Sequence, residues 1–398
     1  MDKIKKVLIT NGSHAEIPII EEAKKSGFYV ITIGTNKDGL GHKIADEYIY
    51  GDFSDKESVY KIAKENDVDA IISGCNDFAY ISTAYACEKL GLKGHDSYEI
   101  ARLIHHKDSF RDLTYKLNIR TPKHYKCFNK NELQIIIEEI GFPLLIKPID
   151  LTGGKGVKVC HTKNEALNAF DDAIQKTREN HIIIEEYIVG SNHGASFILK
   201  QQKVFYKVFD NEQYYKNKYM VSGASMPGTI NDVQKKQLES DVEKIAEYLN
   251  LVDGLFHFQF IIENKTGHPI IIDPCRRSPG DLYVLLAKFS SGVNYPKEIM
   301  NAEMGKEIDE SYKIENNNII RECIMSDKKG IVSNIEIDNY IKEHIMYKLI
   351  WGNKGDVIEN ELKYKAGIIL ASFDSAEEMN EIVNNWYNYV KIEMEEKI

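Results

Sequence analysis

The sequence predicts an α/β region followed by an α+β region, and three observations point there. Residues 5–105 alternate β-branched runs with helical patterns at short spacing. From residue 193 onward the signal turns mainly β, interrupted by one long helical stretch. The length, 398 residues, suggests two or three domains.

The elements follow in order. KVLIT is a first strand, NGSH a loop, and a helix is expected from Ala15 to Lys25. Gly27 closes that helix and YVITIG is the next strand. A helix near Lys56–Asn66, the strand DAIISG and a helix from Phe78 to Leu90 complete the alternation. Strands separated by helices in this way form a parallel sheet covered on both faces, a Rossmann-like arrangement. Ligand loops then lie beyond the C-terminal strand ends, which makes Ser13 and Asn76 substrate-binding candidates. A nicotinamide-dependent oxidoreductase is one reading of this half. It needs a dinucleotide fingerprint, and NGSHAE is not GxGxxG.

A helix from Lys107 to Leu117 leads through Thr121-Pro122 into a new unit. Helix, the strand PLLIKP, a glycine-rich loop, the strand GVKVCH, helix and the strand IIIEEYI follow. GASFILK and KVFYKVF then pair as a hairpin, and a long helix spans Asp232 to Leu249. LFHFQFII and HPIIIDP are antiparallel neighbours. The remaining β-rich runs are IIRECIM, HIMYKLIW and AGIILASF, with a terminal helix from about Ser375. The acidic end KIEMEEKI reads as a solvated helix end.

Composition narrows the function. At 43% hydrophobic and 28% charged the chain is ordinary for a globular protein. A formal net charge of −10 weighs against nucleic acid or an anionic membrane as partner. No apolar run reaches the roughly 18 residues of a membrane span, and VLIT is too brief for a secretion signal. Six cysteines lack CxxC spacing and read as reduced thiols of a cytoplasmic protein.

Three stretches carry chemistry. In GFPLLIKPIDLTGGKGVKVC a strand delivers Lys147, and Gly153, Gly154 and Gly156 flank Lys155. Glycines let backbone N–H groups approach phosphate, although a decorated hairpin turn would look the same. No Ser or Thr follows the lysine, so this is not a Walker A loop. In HIIIEEYIVGSNHG, Glu185 is placed to accept from an adenine amino group while the following backbone reads the ring edge. In LFHFQFIIENKTGHPIIIDPCRRSPGD, period-2 alternation points Gln259 and Asp273 the same way as His257. Oxygen donors of this kind suit Mg²⁺, and the adjacent arginines need an anion. The polar segment Asp210–Tyr219 is either a mobile lid or an exposed hairpin tip.

Taken in order, these pieces resemble the ATP-grasp superfamily, in its carboxylate–amine ligase branch, with a likeness to carbamoyl-phosphate synthetase and biotin carboxylase enzymes. The resemblance covers most of the chain. It implies a Rossmann-like preATP-grasp domain at 1–105, an ATP-grasp N-terminal subdomain at 106–190, a C-terminal subdomain at 191–318 and a small α+β part at 319–398. It implies that Lys107 and Lys147 contact ATP and that Gly153 to Gly156 close over the phosphates, with Lys155 helping. Glu185, Glu186 and Ile188 are implied as the adenine-reading strand, and Asn192 or His193 as the ribose contact. Gln259 and Asp273 become metal ligands for Mg²⁺, two ions being expected and Mn²⁺ able to substitute. Arg277 matches the arginine that holds the transferring phosphate, with Arg276 and Ser278 as further substrate contacts. Cys275 stands where the family has Asn and is a poor ligand for a hard cation.

The implied activity is an ATP-dependent, ADP-forming ligase that joins a small-molecule carboxylate to an amine or ammonia through an acyl-phosphate. A catalytically degenerate ATP-binding module is the alternative that the Cys275 and Gln259 departures raise. A homodimer is among the assemblies to expect.

Overall fold

The computed structural model describes residues 5–151, 154 and 156–395. The chain opens with β1 (Lys6–Thr10), α1 (Ile17–Lys25), β2 (Tyr29–Gly34), β3 (Glu47–Tyr50), α2 (Lys56–Glu65), β4 (Ala70–Ser73) and α3 (Asp77–Leu90). The strands form a sheet in the order β3-β2-β1-β4, every pair parallel. Helices α4 (Tyr98–His105) and α5 (Lys107–Lys116) then carry the chain out of this domain.

The next layer is a small antiparallel sheet. It contains β5 (His124–Cys127), β6 (Leu144–Pro148), β7 (Lys158–Cys160) and β8 (Ile182–Glu186), in the order β5-β8-β6-β7. Helices α6 (Lys130–Ile140) and α7 (Lys163–Lys176) bury one face of it through Leu133, Ile136, Ala166 and Phe170.

A large antiparallel sheet follows. β9 (Gly190–Lys200) and β10 (Lys203–Tyr214) form the expected hairpin, and β11 (Val221–Met226) joins β10. Helix α8 spans Asp232–Leu249, started by a capping box between Asn231 and Gln234. β12 (Gly254–Glu263) and β13 (Pro269–Cys275) pair antiparallel, followed by α9 (Tyr283–Ser291) and α10 (Tyr295–Glu303).

The last stretch contains β14 (Asn318–Ile324), β15 (Gly330–Ile337), α11 (Asn339–His344), β16 (Ile345–Ile350), β17 (Val357–Ile358), β18 (Gly367–Phe373), α12 (Ala376–Tyr389) and β19 (Val390–Met394). β14, β18 and β16 do not stand apart. They extend the large sheet to the order β13-β12-β9-β10-β11-β14-β18-β16. One apolar cluster, including Ile19, Ile20, Leu286, Ile299 and Leu370, ties the parallel sheet to this large one. The walls of any cleft between them are therefore held by a shared core.

Two expectations fail here. Asp210–Tyr214 is the end of β10, and Asp210 is fully buried, so that part of the segment is neither lid nor hairpin tip. The acidic end, as far as it is described, is strand to Met394 and not helix. Val390, Ile392 and Met394 alternate with charged residues, and this period of two pairs β19 with β15.

Candidate active site

A cavity of about 370 Å³ lies between the small and large antiparallel sheets. Lys107, Lys147, Glu186, Ile188, Asn192 and Tyr219 line it. Lys107 is the first residue of α5. Its ammonium donates to the Leu151 carbonyl at 2.9 Å and lies 3.2 Å from the Asp273 carboxylate. Glu186 accepts from the Lys123 backbone N–H at 2.8 Å, which fixes the strand end that edges the cavity.

Glu185 does not read this cavity. It is 0% exposed, bonds the Lys147 ammonium, and accepts from Arg111 Nε at 2.9 Å. Burial opposes its charge, yet Arg111 and Lys147 hold its carboxyl down at about 2. Its work is to anchor Lys147. The period of two explains the swap, since Glu185 and Glu186 point to opposite faces of β8. His193 is corrected too. It is buried, with its ring between Ser191 Oγ at 2.7 Å and the Asp210 carbonyl at 3.1 Å. Asn192 is the neighbour that reaches the cavity.

Of the glycine loop, Gly153 and Lys155 lie outside the described residues. Gly154 has φ +70°, and a Cβ there would meet the Tyr219 carbonyl oxygen at 2.1 Å. Only glycine allows the loop to approach the β10–β11 connection this closely.

Gln259 and Asp273 are register partners across β12 and β13. The Gln259 amide N–H donates to Glu212, so its carbonyl oxygen is the atom that could face a cation. Glu212 comes from β10 and was not legible as a site residue in sequence. The alternation Asp210, Glu212, Tyr214 was the available signal. Burial, and then Asp210, pushes the Glu212 carboxyl well above the usual range, and burial does the same to Asp210. Among the described residues, no group of three or more His, Cys, Asp and Glu side chains is placed to hold a metal. Two carboxylates and an amide oxygen nonetheless fit a hard cation that completes its shell with phosphate and water.

A second cavity, of about 460 Å³, continues from the first and shares Gly154, Tyr219, Gln259 and Asp273 with it. Arg277 lines this one, its Nε 2.7 Å from Asp77 Oδ1. Asp77 also meets His105 Nδ1 at 3.2 Å. Burial opposes the Asp77 charge, but Arg277 and His105 hold its carboxyl well below the usual range. Arg321 and Lys365 add two further cations from distant segments. Both face Asp281, which His14 Nε2 reaches at 3.1 Å. Arg321 keeps its Nε without a partner.

Four sequence candidates sit elsewhere. Arg276 is buried and spent on structure: Nε donates to Asp96 at 2.8 Å, and Nη1 and Nη2 donate to the Leu255 and Val252 carbonyls, each at 2.7 Å. Ser278 is fully buried, beside rather than on the cavity wall. Ser13 Oγ donates to Glu16 at 2.6 Å, and Asn76 caps α3 by accepting from the Phe78 N–H at 2.9 Å. Their loop neighbours Cys75 and Asp77 reach the cavity instead. Cys275 lines it as well, but burial pushes its thiol up to about 12, which rules it out as a nucleophile near neutral pH.

Comparison with known proteins agrees with this fold. Residues 105–278 match the family described as phosphoribosylglycinamide synthetase, ATP-grasp (A) domain. A formate-dependent phosphoribosylglycinamide formyltransferase of Prochlorococcus marinus is 30% identical over 270 residues, 66% of this chain and 67% of that protein. The crystal structure of an L-amino acid ligase from Bacillus licheniformis superposes with TM-score 0.83 at 17% identity, covering 100% of both chains. That of phosphoribosylglycinamide synthetase from Anaerococcus prevotii gives 0.79 at 21% identity, covering 99% of this chain and 100% of the other. No helix of the described residues is long and apolar enough to cross a membrane.

Proposed function

This chain belongs to the ATP-grasp superfamily and is an enzyme of its ligase family, and on that premise we propose an ADP-forming carboxylate–amine ligase that works through an acyl-phosphate. The observation that carries this reading is the shared wall. The nucleotide-sized cavity and the cation-lined one meet at Gly154, Tyr219, Gln259 and Asp273. A γ-phosphate held at that junction faces an acid held in the second cavity.

The residues divide the work. The backbone from Glu186 to Ile188 receives the adenine edge, and Asn192 receives the ribose. Lys107 and Lys147 neutralise phosphate oxygens, Lys147 being held in place by Glu185. Asp273, the Gln259 oxygen and Glu212 would hold Mg²⁺, with Glu212 supplying the oxygen donor that Cys275 lacks. When bound, Mg²⁺ neutralises the polyphosphate and fixes its geometry. A carboxylate oxygen attacks the γ-phosphorus, the bond to the β-phosphate oxygen breaks, and ADP leaves. Arg277 holds the transferring phosphoryl group in line. The amine then attacks the acyl carbon, the C–N bond forms, and inorganic phosphate departs with the proton the amine sheds. Arg321 and Lys365 receive an anionic group on one of the two substrates. Closure by the glycine loop excludes the water that would hydrolyse the acyl-phosphate.

The test is to incubate the protein with Mg-ATP, hydroxylamine and pooled carboxylates, and to measure hydroxamate and ADP together. Acid-dependent hydroxamate matched by ADP is expected, and splitting the pool then names the acid. ATP binding without hydroxamate from any pool would favour a binding module over a ligase.

A further inference from the structure

Behind the active site, on the other face of the large sheet, lies a third cavity of about 400 Å³. Its walls are β10, β11, β14 and the C-terminal half of α12. The register explains the arrangement. Glu212, Ala224 and Arg321 form one row across β10, β11 and β14, and Gln213, Gly223 and Glu322 form the next. Alternation sends Glu212 and Arg321 to the active site, and Gln213 and Glu322 to the rear cavity. Gly223 makes room for this. A Cβ there would meet the Glu322 carboxylate oxygens at 2.1 Å.

The rear cavity is lined by neutral polar groups such as Ser222, Asn384 and Asn388, and by no cation among the described residues. Glu322 is 2% exposed, and its Oε1 has no hydrogen-bond partner. Gln213 donates from Nε2 to Ser225 Oγ at 3.1 Å, and its Oε1 is also unpartnered. The Tyr387 hydroxyl is a third unpartnered group on the same wall. Leaving such groups unpaired in a buried site is costly, so a ligand that pairs them is favoured. No lysine or arginine is among the described residues that line the cavity. Lys216 approaches the Tyr215 ring at 5.3 Å without lining it. The last turn of α12 presents carbonyl groups and has no basic residue to offset them. Tyr215 and Tyr387 stack with centroids 3.6 Å apart, an aromatic wall that favours a cation.

We propose that this cavity is a second ligand site, and that it takes a small organic ammonium ion carrying a primary amine. The three N–H groups of such an ion answer the two unpartnered oxygens and the tyrosine hydroxyl. Its carbon chain lies on the aromatic wall, which a bare metal ion would leave uncovered. Burial, with Arg321 opposing, pushes the Glu322 carboxyl up to about 8, so an entering cation displaces a proton. The inference is independent of which bond the active site makes.

Calorimetric titration of the full chain with n-propylammonium chloride tests it, with Trp386 fluorescence as a second signal because that residue lines the cavity. Potassium chloride and tetramethylammonium chloride at equal ionic strength are the controls. Saturable propylammonium binding is expected, weakened about tenfold or more by Glu322→Gln and to a lesser degree by Tyr387→Phe. Tetramethylammonium, which has no N–H, and potassium are expected to give no saturable signal. Should Glu322→Gln not fold, Tyr387→Phe decides alone. Absence of saturable binding, equal affinity in the folded variants, or equal binding of the controls would overturn the proposal and leave a cavity filled by water only.

Discussion

The two halves of the active site are built by opposite strategies. Around the nucleotide cavity, each charge sits against an opposite one: Glu185 with Arg111 and Lys147, and Lys107 with Asp273, although Arg111 Nη1 has no hydrogen-bond partner. These residues come from single strands and from helix α5, which supplies both Lys107 and Arg111. The acceptor cavity is assembled from points along nearly the whole chain, Asp77, Glu212, Arg277, Arg321 and Lys365 among them. Some of its charges are paired, as in Asp77 with Arg277. Others are strained, as in the crowded Asp210 and Glu212 carboxyls and the unpartnered Arg321 Nε. Compensated charge holds a ligand common to many enzymes. Open valences wait for the particular substrate.

The largest expected effect is at the junction. Arg277→Met removes the charge proposed to stabilise the transferring phosphoryl group, and kcat should fall about a thousandfold or more. ATP affinity, measured by calorimetry, should stay close to wild type because Lys107, Lys147 and the adenine edge are untouched. An equal loss of ATP affinity would erase the division between the two cavities. Next comes Glu185→Gln. It leaves Arg111 and Lys147 buried with no carboxylate between them, and about 3 kcal/mol of stability should be lost in urea unfolding. If stability held while ATP affinity dropped, Glu185 would be a nucleotide contact after all. Smaller still is Arg321→Met. It should raise the KM of the anionic substrate about ten- to a hundredfold and leave the KM of ATP alone.

The same contrast decides what the sequence could reveal. The nucleotide side was legible because its residues sit in contiguous stretches with a fixed order. The long helix Asp232–Leu249 and the antiparallel neighbours that carry Gln259 and Asp273 on one face were read correctly for that reason. Facing was the weak point even there. Glu185 and Glu186, or Asn192 and His193, are adjacent letters, and only the pleat decides which one meets the ligand. Arg276 and Arg277 repeat the lesson at the junction, one bound to Asp96 and the other to Asp77. The acceptor side was nearly silent. Arg321 lies in the apolar strand β14 and Lys365 in the polar loop before β18, where a single cation reads as decoration, and nothing local ties either to Asp281. The acidic tail misled for a related reason, since its charges masked a period of two.

The last prediction compares two buried carboxyls that differ in their company. Glu185 has two cations and is held down at about 2; Glu322 lacks a partner for one oxygen and is pushed up to about 8 by burial. The signs are opposite. Glu185 is depressed below its ordinary value, so its contribution is present above about pH 4.5 and lost as pH falls toward 2. Glu322 is raised, so the folded chain keeps a proton that the unfolded chain releases. Its contribution is present below about pH 4.5 and lost as pH rises through about 8. Thermal melting from about pH 5 to about pH 9 should therefore show a declining midpoint in the wild-type chain. Glu322→Gln should make the decline shallower without abolishing it, because Glu212, Asp210 and Asp241, all raised chiefly by burial, slope the same way. A wild-type midpoint that rises over this range would mean that Glu322 is ionised in the folded protein, with a cation already beside it.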